Sequence, residues 1–130
     1  MSADKSAIIV TDGSEKVKKM ADCVLKALGG IKTLVMDAHE FAGTDLLPAN
    51  IVFIGCEKPS PSSFAYLEKL LQHINLAGRK CGVFSPSSKE AVQYMTKMVK
   101  DSDITLNPAA LFEANSTLAG EWTAKTISGK

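Results

Sequence analysis

The sequence predicts an α/β protein, an open doubly wound sandwich with a mostly parallel five-stranded sheet and helices on both faces. Three observations lead there. Short continuous apolar runs recur along the chain, as expected of strands buried on both sides. Segments with apolar residues at helical spacing alternate with them. The connections are short, and strand–helix–strand units of that kind fold as parallel pairs with helical crossovers.

Ala7-Ile8-Ile9-Val10 is the first strand. Val17, Met20, Ala21, Val24 and Leu28 then fall on one face of a helix, which Gly29-Gly30 stops. Ile31 to Met36 reads as the second strand. Asp37 to Asn50 is a longer connection with a short helix around Leu46 and Leu47. Ile51-Val52-Phe53-Ile54-Gly55-Cys56 is the most apolar strand and is expected at the centre. After a loop with Pro59 and Pro61, Phe64, Leu67, Leu70, Leu71 and Ile74 share one helix face. Cys81 to Phe84 is the fourth strand. Ser87 and Glu90 have the spacing of a capping box and open a helix with Ala91, Val92, Met95, Met98 and Val99 inside. The fifth strand lies within Ile104 to Glu113 and is broken by Asn107-Pro108. A last, weak helix runs from Ser116 to Ile127 around Trp122, interrupted by Gly120.

At 130 residues the chain is expected to form one domain, residues 1–130. Its 15 basic and 14 acidic residues are interspersed, giving a net charge of +1, so no field points to nucleic acid or an anionic membrane. No apolar run approaches the roughly 20 residues that span a bilayer. Met1-Ser2-Ala3-Asp4-Lys5 is followed by no apolar signal region, so the cytoplasm is the expected location. The 3 cysteines make neither a disulfide framework nor a zinc motif and read as free thiols. His39 and His73 have no ligand at metal spacing, so no metal is expected.

In open parallel sheets ligands bind outside the carboxyl ends of the strands, at the topological switch point. The loops after Val10, Ile54 and Phe84 are therefore where a small ligand would sit. The first, Thr11-Asp12-Gly13-Ser14-Glu15, offers amide donors at a helix start, a glycine for close approach and a serine hydroxyl. Those features suit a phosphate. Asp12 works against it, because a carboxylate there can cap the helix and compete for the same donors. A phosphate site and a plain acidic helix start both remain open for this turn. The second loop, Cys56-Glu57-Lys58-Pro59-Ser60, begins with a thiol at the end of the central strand. A reactive thiol would need a cation or helix dipole beside it, and a buried small residue is the plainer reading. The third loop, Ser85-Pro86-Ser87-Ser88, offers hydroxyls and amides but nothing to stack on a ring, and doubles as a helix cap. A phospho-acceptor receiver domain would want an acid where Gly55-Cys56 stands. A cysteine-phosphorylated transferase would want its cysteine where Thr11-Asp12 stands.

Ala7 to Leu28, Leu46 to Cys56 and Gly78-Arg79-Lys80-Cys81-Gly82-Val83-Phe84 resemble a short-chain flavodoxin, and the likeness in element order covers nearly the whole chain. The resemblance implies a flavodoxin-like sheet in the order 2-1-3-4-5 with FMN at its carboxyl edge. It places the FMN phosphate at Thr11, Asp12, Gly13, Ser14 and Glu15. Cys56, Glu57, Lys58, Pro59 and Ser60 would line one side of the flavin, and Ser85, Pro86, Ser87 and Ser88 the other. It implies a flavoprotein that passes electrons between redox protein partners or serves as a flavin-binding module of a reductase. The departures fall on the functional loops. A flavodoxin phosphate loop usually reads Ser/Thr-x-Thr-Gly-x-Thr, and the turn here is shorter and carries a carboxylate. Neither flavin-flanking loop has the Trp or Tyr that usually covers the ring.

Two functional expectations follow. One is an FMN-binding electron-transfer module with an atypical, shortened phosphate loop. The other is a domain of the same fold that has lost FMN and serves as a protein-binding or assembly module. A third, thiol-dependent function would rest on Cys56.

Overall fold

The computed structural model describes residues 6–86 and 88–128. Five strands form one sheet, β1 Ser6–Thr11, β2 Lys32–Asp37, β3 Ile51–Gly55, β4 Lys80–Phe84 and β5 Thr105–Leu106. Their order is β2-β1-β3-β4-β5 and all pairings are parallel. Among the described residues four α-helices connect them, α1 Glu15–Leu28, α2 Gly43–Leu46, α3 Ala65–His73 and α4 Lys89–Lys100, and α5 Ser116–Ser128 follows β5. None of these helices is long and apolar enough to cross a membrane.

Strand alternation divides the apolar runs between two cores. Ala7, Ile9, Ile51 and Phe53 face α1 and α5, where Val17, Met20, Val24, Ala119 and Trp122 meet them. Ile8, Val10, Val52 and Ile54 face α3 and α4, against Phe64, Leu67, Leu71, Met95 and Val99. The five apolar positions read on α1 are all buried. β3 lies in the middle of the sheet with every residue buried, as its composition predicts.

Three expectations need correcting or bounding. Ser87 lies outside the described residues. The described cap of α4 is Ser88, whose hydroxyl accepts the Ala91 N–H at 3.1 Å. The capping oxygen is thus one residue later than the Ser87–Glu90 spacing suggests. Gly120 does not interrupt α5, which is continuous from Ser116 to Ser128. Burial of Ala119, Trp122 and Thr126 outweighs the roughly 1 kcal/mol that a helical glycine costs. The break at Asn107 is real, and it has a purpose. The Asn107 amide donates to Thr126 Oγ1 at 3.0 Å while its carbonyl oxygen accepts the Ala109 N–H, fastening the end of β5 to α5.

Candidate functional site

Parallel register puts Thr11, Gly55 and Phe84 side by side, so the loops after β1, β3 and β4 emerge together at the carboxyl edge. Thr11 is buried, and its hydroxyl donates to Asp37 Oδ1 at 3.2 Å. Asp37 is its register partner at the end of β2. The same Thr11 oxygen accepts the Gly13 N–H at 3.3 Å. Gly13 has φ +86°, a left-handed turn that suits glycine. Ser14 caps α1, its hydroxyl accepting the Val17 N–H at 3.4 Å and its carbonyl the Lys18 N–H at 2.9 Å. Glu15 is exposed at the first position of the helix.

Asp12 is the centre of this edge. Its Oδ1 accepts the Ser14 N–H at 3.0 Å and its Oδ2 accepts the Glu57 N–H at 2.9 Å. One carboxylate therefore satisfies an amide of the first loop and an amide of the second. The Ser14 N–H is a donor that an anion would use at such a helix start. Among the described residues, Glu15 and Lys16 keep amides without partners there.

In the second loop Cys56 is buried and its N–H donates to the Phe84 carbonyl at 3.3 Å. Burial pushes its thiol up to about 12, and the Asp12 charge pushes the same way. Both effects disfavour a thiolate, so the surroundings work against a nucleophile. Glu57 is half-buried, while Lys58, Pro59 and Ser60 are exposed, Ser60 with φ 54°. Under native conditions near pH 8, a pKa near 12 leaves only about one thiol in 10⁴ ionised. Alkylation should therefore mark the half-buried Cys23 well before Cys56 or Cys81. Peptide mapping after brief iodoacetamide treatment checks this, and Cys56 labelling first would contradict it.

In the third loop Ser85 is buried and its N–H donates to the Leu111 carbonyl at 3.0 Å. Its hydroxyl is buried with no partner among the described residues, directly after β4. Pro86 is half-buried, and Ser88 is used as the α4 cap. Of the aromatic residues after the second loop, Phe64 is core and Tyr66 points outward, its oxygen accepting the Gly43 N–H at 3.0 Å.

Two residues were missed by the sequence reading. Asp37 completes the Thr11 contact, and Phe84 lies over Gly55 at the mouth of the second loop. The turn after β2 also gathers Asp37, His39 and Glu40, with ligand-type atoms within 4.8 Å of one another. Asp37 is already committed to Thr11. A groove of about 310 Å³ beside Thr11 is bordered by Asp22, Asp37 and Glu40 with Lys18 as its cation. Carboxylates thus dominate the flank of the first loop.

Neither a protein-family model nor a curated relative matches the sequence. Solved structures do match in fold. A short-chain flavodoxin associated with a non-canonical PDU bacterial microcompartment superposes with a TM-score of 0.82 at 12% identity, over 97% of this chain and 98% of its own. Oxidised flavodoxin 2 from Bacillus cereus gives 0.75 at 16% identity, over 95% of this chain and 96% of its own. The Fusobacterium nucleatum flavodoxin bound to flavin mononucleotide gives 0.72 at 8% identity, over 95% and 96%. The chain has the flavodoxin fold, with the strand order 2-1-3-4-5 that the resemblance implied.

Proposed function

We propose that this flavodoxin-fold chain is a flavin-binding electron-transfer module whose ligand sits at the carboxyl edge of the sheet. The observation that carries the reading is the meeting of three loops there, beginning at Thr11, Cys56 and Ser85, at the ligand position of this fold. Fold does not by itself carry function, so the loops have to be weighed. The Cys56, Glu57 and Ser85 amides are already taken within the protein, so polar partners for a ring edge would come from the exposed Lys58 and Ser60 of the second loop. FMN is the flavin of the Fusobacterium relative in fold. Its phosphate does not fit the first loop here, because Asp12 holds the Ser14 and Glu57 donors. When bound, a flavin supplies the redox chemistry, and the protein supplies orientation and electrostatics. The partners are then other redox proteins rather than nucleic acid or membrane.

A second reading is favoured by that same Asp12 contact. A first loop whose Gly13 and Ser14 amides are satisfied internally, with Asp12 also holding the Glu57 amide, has less need of a ligand, and the domain would then act by binding protein. Equilibrium with added flavin separates the two. A flavin that binds only the folded state at about 100 times its Kd adds about 2.7 kcal/mol of stability, a rise of several degrees in Tm. The flavin reading expects that shift and visible flavin absorbance retained through gel filtration. A colourless protein with an unmoved Tm would leave the protein-binding reading standing.

A further inference from the structure

The misfit at the first loop has a defined chemical form. Gly13 N–H is held by Thr11 Oγ1, Val17 N–H by Ser14 Oγ, and the Ser14 and Glu57 amides by the two oxygens of Asp12. The carboxylate sits where the donors of two loops converge. A phosphate arriving there would meet a fixed negative charge and find the Gly13, Ser14, Val17 and Glu57 amides taken, with only those of Glu15 and Lys16 left to receive it. Asp37 is one side chain further on, joined through Thr11, and adds to that field.

The geometry points to Asp12 as an intramolecular anion that fills the phosphate position and makes the site select a flavin without a phosphate, riboflavin, over FMN. This rests on the flavin reading above. Asp12 is here a specificity-determining residue. It supplies the charge, it ties the first loop to the second, and it leaves the neutral ring and ribityl chain as the only parts of the ligand to be held.

The test titrates the wild-type chain, Asp12→Ser and Asp12→Asn with riboflavin and with FMN, followed by flavin fluorescence. Asp12→Asn keeps the size and a carbonyl oxygen, so it guards against a loop that fails to fold when truncated. Melting curves establish that each variant is folded. Wild type is expected to bind riboflavin about tenfold or more tighter than FMN, since a like charge in contact is worth at least that factor. Both variants should gain about tenfold or more for FMN while riboflavin changes by less than about threefold. Tighter binding of FMN than riboflavin by wild type would overturn the inference and leave the flavin reading intact. So would an unchanged FMN-to-riboflavin ratio in the folded variants. Inorganic phosphate gives a readout independent of flavin, because it should raise the Tm of the variants and leave wild type unmoved. Loss of all flavin binding in all three proteins would sink the flavin reading and the selectivity with it. The phosphate melts would still decide whether Asp12 is the internal anion, and equal shifts in all three would overturn that.

Discussion

Gly55→Ala is expected to destabilise the fold by about 3 kcal/mol, a large share of the stability of a domain this size. A Cβ at Gly55 would stand 2.3 Å from Phe84 Cε2 and 2.5 Å from Cζ, inside any permitted contact. Phe84 has nowhere to go. It is fully buried, and its ring meets Trp122 edge-on at 6.2 Å between centroids. Trp122 is pinned in turn by its indole N–H, which donates to the Ala109 carbonyl at 2.7 Å. Gly82 stands in the same relation to Trp122, with a Cβ 2.6 Å from Cζ2, so Gly82→Ala should behave alike. Urea unfolding with an unchanged m-value would measure the loss as stability. Pairing Gly55→Ala with Phe84→Leu should recover part of it, because the two share one contact. A loss below about 0.5 kcal/mol for Gly55→Ala would mean that Phe84 is free to move aside.

A comparably large effect is expected from pH. Cys56 and Cys81 are both pushed from 9.0 up to about 12, chiefly by burial. Both thiols are therefore neutral in folded and unfolded chains below about pH 9, and there they cost nothing. Between 9 and 12 the unfolded chain releases those protons and the folded chain keeps them. The unfolded state then binds fewer protons, so stability falls as pH rises, by about 1.4 kcal/mol per pH unit for each thiol. Tyr94 works in the same direction at higher pH. Its hydroxyl is raised first by burial and then by its hydrogen bond to Glu68 at 2.5 Å. The protein is expected to lose about 3 kcal/mol of stability per pH unit on the alkaline side, between about pH 9 and 12. Urea midpoints from pH 8 upward, for wild type and for Cys56→Ala with Cys81→Ala, check this. The double variant should lose most of the slope just above pH 9. Identical slopes would show that burial of the thiols does not control alkaline stability.

Much of the architecture was legible because its signals are local. Val17, Met20, Ala21, Val24 and Leu28 report a helix face by spacing alone, and all five are buried. Ile51 to Ile54 could only be a strand buried on both sides, and it lies mid-sheet. Gly120 misled because propensity was read without the burial of Ala119 and Trp122 that overrides it. The α4 cap was placed one residue early because the Ser87–Glu90 spacing fits a capping box, whereas the hydroxyl at Ser88 caps the Ala91 N–H without one. At the carboxyl edge, the competition between Asp12 and an anion was visible in the turn itself. The Ser14 half of that contact spans only two residues.

The amino-acid sequence alone determined the order of strands and helices, the two-faced core and the loops at which a ligand would lie. These follow from hydrophobic period and from turn chemistry, which act over a few neighbouring residues. The tertiary structure alone decided the rest. The Glu57 amide that completes the Asp12 cage is 45 residues away, and the Asp37 carboxylate that takes the Thr11 hydroxyl is 26 away. Gly55 and Gly82 become irreplaceable only once Phe84 and Trp122 lie across them. Hydrogen bonds and steric contacts act over a few ångströms, so their partners are set by which loops and strands the fold brings side by side.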